Sequence, residues 1–378
     1  MTHGPVPPRV VVVVGAGLIG TSAALALSRA GAEVWLSDTD PDAAALAAEM
    51  GAGRVLPEGG VPGGPADVAM IAVPPASVAA VLAAAQRAGL ARCYTDVASI
   101  KAQPLAQARD AGCDIARYVP GHPLAGRERS GPAAARADLF LGRTWALCPA
   151  PETEPDAVTA VTALAVACGA EPVLTDAATH DRWVALISHA PHVVAAALAA
   201  RLAAPSVPPE ALALAGQGLR DTTRIAAGDT ALWRQILTGN ATPVAQVLTA
   251  VAEDLAGTAR VLTGANQASR DQANADQSGG DKELTALLDQ GRAGVARIPG
   301  KHGGPARAFA GVQVVISDQP GELARLFGAA AAAGVNIEDV GIEHSPGAPL
   351  GVAELSVRPE AAGPLITALA DAGWPVRR

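Results

Sequence analysis

Aromatic residues are scarce in this chain: five Trp, two Tyr and three Phe make up 3% of 378 residues. A core built on large rings is excluded, and the apolar half of the composition comes largely from alanine, which favours helices and thin, closely packed layers. Cysteine is as sparse. Cys93, Cys113, Cys148 and Cys168 stand far apart with no CxxC pair, so a disulfide framework has no basis and reduced core thiols are expected. No lysine- or arginine-rich run occurs and the formal net charge is −8, which argues against nucleic acid or an anionic membrane as partner and for a small molecule. The start, MTHGPVPP, is not a charged segment leading into an apolar one, and no unbroken apolar run reaches the roughly 20 residues that cross a bilayer. A cytoplasmic location is expected.

What is present begins with RVVVVV, then GAGLIG, then an alanine-rich helical stretch, then the strand AEVWLSD, a βαβ unit over residues 9 to 38. Gly15, Gly17 and Gly20 fit GxGxxG: the first for a tight turn, the second for backbone approach to a pyrophosphate, the third for helix packing on strand. Leu18 and Ile19 complete that loop, and Asp38 closes the second strand where a carboxylate can accept hydrogen bonds from a ribose 2′-OH. The following TDPD holds no cation for a 2′-phosphate, so NAD is favoured over NADP. Further strands are expected at 67–74, 92–98, 117–122 and 143–149, extending one doubly wound sheet to near residue 170. Ligands of such sheets sit beyond the carboxyl ends of strands, which here carry Val73 and Pro74, DVASIK and GHPLAG.

Residues 176–263 lose strand signals and read as apolar helices, 266–304 turn polar and glycine-rich around one short helical piece, and the tail restarts as βαββαβ, the order of a ferredoxin-like module. The expected division is therefore a Rossmann-type α/β dinucleotide-binding domain over 1–172, an all-helical domain over 173–265, a linker over 266–305 and a C-terminal domain over 306–378.

In GHPLAG, Pro123 holds His122 in extended backbone and Gly121 frees the turn before it, so the imidazole is aimed from a strand end toward the expected nicotinamide position. With an ordinary pKa near 6.5 it suits a base that takes a hydroxyl proton while carbon gives up a hydride. Ser99 either bonds the same hydroxyl, orients His122, or caps the following helix, and Lys101 adds positive charge nearby. In THDRWVALISHAPH, His189 and His192 are three apart and share a helical face that His180 does not; Pro191 should bend the helix there. A zinc site would need a third ligand, and no HExxH is present, so a polar pocket wall or satisfied buried histidines are the readings kept and no metal is expected. Arg220 and Arg224, four apart in GLRDTTRIA, present two guanidiniums on one face, a pattern that suits a dicarboxylate. Trp233 either lines the same cavity or fills core.

GAGLIG, DVASIK, GHPLAGRERSG, THDRWVALISHAPH and GLRDTTRIAAGDTALW, in this order, resemble the prephenate dehydrogenase family, and DQPGELARLF with GVNIEDV looks like an ACT domain. The resemblance implies NAD-dependent oxidative decarboxylation of prephenate to 4-hydroxyphenylpyruvate in tyrosine biosynthesis. It makes His122 the catalytic histidine, Ser99 its and the substrate's orienting partner, and His192, Arg220, Arg224 and Trp233 the substrate pocket. It also implies a homodimer through the helical domain and, as a hypothesis, feedback by tyrosine at Asp318, Gly321, Glu322, Leu323 and Asn336 of the ACT domain. Arg127, if it faces the pocket, would repel the ammonium group of arogenate and favour prephenate. Arogenate dehydrogenase is the alternative within the family, and a non-catalytic amino-acid sensor is the alternative from another class.

Overall fold

The computed structural model describes residues 6–126, 130–268, 277–299, 309–344 and 349–377. The chain forms two compact units, 1–253 and 254–378.

In the first unit, Val10–Val14 form β1, an all-valine strand whose β-branched side chains suit a sheet covered on both faces. With β2 (Glu33–Ser37), β3 (Arg54–Val55), β4 (Ala66–Ile71), β5 (Ala91–Asp96) and β6 (Tyr118–Val119) it makes a six-stranded parallel sheet in the order β3-β2-β1-β4-β5-β6. Successive valines serve opposite layers: Val11 and Val13 pack with Leu25, Leu27 and Leu164, while Val12 packs with Leu82, Tyr94 and Leu105.

This sheet stops at β6 rather than running to residue 170. Pro120 follows β6 and has no N–H to give a ladder, and the chain passes there into a separate three-stranded sheet of β7 (Gly121–Pro123), β8 (Thr144–Leu147) and β9 (Glu171–Leu174). Gly121 is accordingly a strand residue and not a turn: a Cβ on it would stand 2.8 Å from the carbonyl oxygen of Asp96, so glycine lets β7 lie against the end of β5.

Residues 177–263 hold helices and no strand, as expected, in segments of very different length. Ala177–Val184, a π turn at Ala185–His189 and Ala190–Leu202 make one continuous helix. This 26-residue helix is long and apolar enough to cross a membrane by length and composition alone, although His180, Asp181 and Arg182 interrupt its apolar run. It carries buried His180 and Asp181, both bonded to the nucleotide-binding part. The wide turn accommodates Pro191, which lacks an N–H for the carbonyl one turn back. Shorter helices follow at Pro209–Ala213, Gln217–Thr223 and Thr230–Gly239, then a long one at Ala241–Ala268.

In the second unit the segment read as a linker contains a 20-residue helix, Gln277–Ala296. From β10 (Ala310–Ser317) a helix leads to β11 (Asp339–His344), β12 (Leu350–Val357), a second helix and β13 (Val376–Arg377). The βαββαβ order closes an antiparallel sheet, β11-β12-β10-β13, over a core of Val312, Val314, Leu326, Leu355 and Leu365.

The turn after β1 is packed without tolerance. Gly15, at φ +111°, would drive a Cβ into the carbonyl of Ala72, and a Cβ on Gly20 would overlap the carbonyl oxygen of Gly15, whereas a Cβ on Gly17 would meet open space. Gly20→Ala should therefore lower stability by about 1–3 kcal/mol; an unchanged urea midpoint would contradict this packing.

Candidate active site

The glycine loop and its acid come together as the sequence suggested. Gly17 is the extended N-cap of Leu18–Arg29, leaving the first-turn N–H groups facing the open side of the loop. Asp38, just past β2, accepts from the backbone N–H of Ala16 at 2.6 Å and of Asp40 at 2.9 Å, which fixes its carboxylate beside the loop with lone pairs to spare. Val73 and Pro74 follow the carboxyl end of β4, one partly buried and one exposed. The open space at Gly17 and the fixed acid fit a bound dinucleotide.

His122 lies in β7 opposite Ala146, partly exposed. Its Nδ1 is 3.0 Å from Nε2 of His180, whose Nδ1 is 2.8 Å from Oδ1 of Asp181. Burial pushes the His122 imidazole well below the usual histidine value, and the neighbouring His180, Lys101 and His189 lower it further. It is therefore a neutral ring at physiological pH. Asp181 also accepts the backbone N–H groups of Lys101 at 2.8 Å and Ala102 at 2.9 Å, and so caps the helix Ala102–Asp110 from a different element.

That cap settles two of the expected roles. The N-cap position of Ala102–Asp110 is Lys101, so Ser99 does not cap it; Ser99 stands partly exposed in the loop after β5. Lys101 is not a pocket cation. Its side chain is fully buried, with Nζ bonded to Asp96 and, at 2.5 Å, to the carbonyl of Gly121, the residue before His122. Asp96 is buried too and takes the phenol of Tyr118 at 2.5 Å. A lysine two positions beyond a strand-end serine reads the same from sequence whether it points to substrate or inward.

From the helical part, His192 stacks on Trp233 with centroids 3.5 Å apart and planes at 14°, and His189 meets the same indole edge-on at 6.1 Å. Asn240 donates to the main-chain carbonyl of Asp181 at 2.7 Å and bonds Nδ1 of His189 at 3.1 Å. Burial takes His189 down to about 4 and lowers His192 as well. His189 is thus a satisfied buried histidine, and Trp233 is partly exposed beside His192. Arg220 and Arg224 do not share one regular helical face, because the α-helix ends at Thr223 and Arg224 begins a 3-10 turn; both are exposed.

In the second unit Gly321, at φ +91°, is the N-cap of Glu322–Ala332 and Asp318 is exposed just past β10. Glu322 pairs with Arg325 at 3.0 Å, and Leu323 packs on the sheet core. Asn336 bonds Glu338 at 3.0 Å and precedes β11 by three residues instead of opening it. Arg127 lies outside the described residues.

Comparison with known proteins decides the family. Residues 23–174 match the nucleotide-binding domain of prephenate dehydrogenase and residues 176–272 its dimerization domain. The probable prephenate dehydrogenase NovF of Streptomyces niveus is 40% identical over 369 residues, spanning 97% of this chain and 99% of that protein. The chain belongs to the prephenate dehydrogenase family. It is an oxidoreductase with the family's nucleotide-binding and dimerization domains. The prephenate dehydrogenase of Bacillus subtilis is 31% identical over 61% of this chain and 64% of its own length. Among solved structures, prephenate dehydrogenase from Aquifex aeolicus, in complex with hydroxyphenyl propionate and NAD+, shares the fold at a TM-score of 0.65 and 23% identity, over 76% of this chain and 98% of that one. Arogenate dehydrogenase from Synechocystis gives 0.62 at 25% identity over the same shares.

In this member of the prephenate dehydrogenase family, sequence reasoning missed Asp96, Tyr118, His180, Asp181 and Asn240. Asp96 stood in plain view inside DVASIK, but its spacing from Lys101 does not reveal that the two are buried as a pair. His180 was set aside by a helical wheel that the π turn invalidates. A cleft of about 470 Å³ is lined by Asp181 together with Ala102, Arg182, Gly239, Asn240 and Gln246, and none of the expected site residues lines it.

Removing one partner of the buried pair strands the other charge. Lys101→Met should cost about 3–5 kcal/mol, checked by urea unfolding; a loss below about 1 kcal/mol would show that Asp96 does not depend on Lys101.

Proposed function

We propose that this protein catalyses NAD-dependent oxidative decarboxylation of prephenate to 4-hydroxyphenylpyruvate in the cytoplasm. The observation that carries the reading is a neutral, partly exposed imidazole at the carboxyl ends of a dinucleotide-type sheet, wired through His180 to a buried carboxylate. Gly15, Gly17, Leu18, Ile19, Gly20, Asp38, Val73 and Pro74 would hold NAD, which would supply the hydride acceptor. His122 takes the proton of the ring hydroxyl as that carbon gives up its hydride; loss of carbon dioxide then pushes its electron pair into the ring, which becomes aromatic, and the proton returns from His122 to the phenolate oxygen. Ser99 orients the hydroxyl. Arg220 and Arg224 pair with the two carboxylates, and the stacked His192 and Trp233 form an apolar wall. An Arg127 that faces the pocket would repel an ammonium group and so disfavour arogenate; the second reading, arogenate as substrate, is supported by the shared fold with the Synechocystis enzyme.

Three parts make up the proposed chain: an NAD-binding domain to residue 172, a helical dimerisation domain to 265 and, beyond a linker, a ferredoxin-like ACT domain over 306–378. Tyrosine would bind the last near Asp318, Gly321, Glu322, Leu323 and Asn336. The helical domain exposes Trp183, Leu186, Ile187 and Leu214 by 51, 60, 62 and 87%, an apolar surface of the kind that a second copy covers.

NADH formation with prephenate or arogenate, NAD or NADP, with and without tyrosine, tests the reading. Prephenate with NAD should turn over fastest, and tyrosine should slow it. His122→Asn should lose roughly 10²–10⁴ in kcat while NAD still binds. Because the base acts unprotonated and burial holds its proton affinity down, the acid limb of kcat/KM should lie below 6.5. Normal turnover by His122→Asn, or turnover of arogenate alone, would refute the corresponding part. Light scattering should give twice the chain mass, and Ile187→Glu should shift it toward the monomer; a monomeric parent protein would remove the dimer.

A further inference from the structure

Three ties converge on the backbone and ring of His122. The buried Lys101 ammonium holds the carbonyl of Gly121, one residue before it. His180, only 2% exposed, meets its Nδ1 at 3.0 Å, and the two rings cross edge to face at 76°. Asp181, 3% exposed, holds the far nitrogen of His180 at 2.8 Å.

The direction of these bonds follows from Asp181. Its Oδ1 accepts the N–H of Lys101 and its Oδ2 that of Ala102, so it serves as a carboxylate with acceptors only, and Nδ1 of His180 must donate to it. A neutral His180 that donates from Nδ1 has only a lone pair at Nε2. The proton shared between the rings then belongs to Nδ1 of His122.

We infer that His180 and Asp181 are positioning residues that fix His122 as its Nδ1–H tautomer, so that the bare lone pair at Nε2 is the one presented to the substrate hydroxyl. A ring nitrogen's protonation is set by the bond its partner nitrogen makes, and here that bond is supplied by a second imidazole backed by a carboxylate rather than by a carboxylate directly. When His122 accepts the substrate proton at Nε2, its Nδ1–H remains directed at His180, so no ring rotation accompanies the transfer. This inference rests on His122 being the base.

The test uses protein carrying ring-¹⁵N histidine, with His122→Asn identifying the His122 signals. In the parent protein at neutral pH, Nδ1 of His122 should show the shift of a protonated nitrogen and Nε2 that of a bare one. His180→Leu should move His122 toward the Nε2–H tautomer and lower kcat about 10²-fold, within the roughly 10²–10⁴ that a general base contributes, with KM for NAD unchanged. His180→Gln, whose amide oxygen can still accept from Nδ1–H, should restore kcat to within about 10-fold of the parent protein. An unprotonated Nδ1 in the parent protein, or parental kcat in a folded His180→Leu, would overturn the relay. Should His180→Leu fail to fold, the parent spectrum and His180→Gln decide. Undiminished turnover by His122→Asn would instead remove the base assignment, a separate failure read from a separate variant.

Discussion

Asp181 is the interaction on which the catalytic part of the molecule turns. One carboxylate accepts two backbone N–H groups at the start of the helix Ala102–Asp110 and one imidazole N–H, and its own carbonyl takes the amide of Asn240. Helix starts leave orphan donors that a flanking side chain usually satisfies. Here the cap arrives from an element 80 residues later in the chain, so the cap also fastens the helical domain to the nucleotide-binding sheet. The same bond set that satisfies a helix end therefore places His180 against His122.

The buried pair of Lys101 and Asp96 plays the complementary part from the sheet side. Such pairs add little net stability compared with apolar packing, and their worth lies in specifying one arrangement. This one names an arrangement: the ammonium must reach both a strand carboxylate and the carbonyl of Gly121, and only a β7 seated at the end of β5 satisfies both. A glycine at 121 is what permits that seat. The two buried cysteines, by contrast, contribute bulk. Cys148 and Cys168 are buried with their thiols pushed up to about 12, which leaves them unreactive.

Much of this was legible in the chain itself. The valine run, the glycines and Asp38 fall into the βαβ unit because period, turn chemistry and spacing agree, and the C-terminal βαββαβ order is signalled by alternating strands and turns at each step. What escaped was governed by contacts between distant segments. Strand propensity locates 144–147 but cannot say which sheet it joins; the break at Pro120 does that. Arg220 and Arg224 were aligned on a regular helix that ends between them. Lys101 and Asp96 look alike inside and outside, since burial of a charge depends on a partner that spacing alone does not reveal.

The π turn at Ala185–His189 has a consequence of its own. It holds one residue more than a regular helix needs, and an α-helix advances about 100° for each residue. Loss of any one residue from it would restore a regular helix and swing everything downstream by about that angle. His192 would then be carried off the Trp233 ring while His180 kept its place. The segment can thus accept changes of side chain far more readily than changes of length, and its five residues behave as a phase marker between the half of the helix that meets His122 and the half that stacks on Trp233.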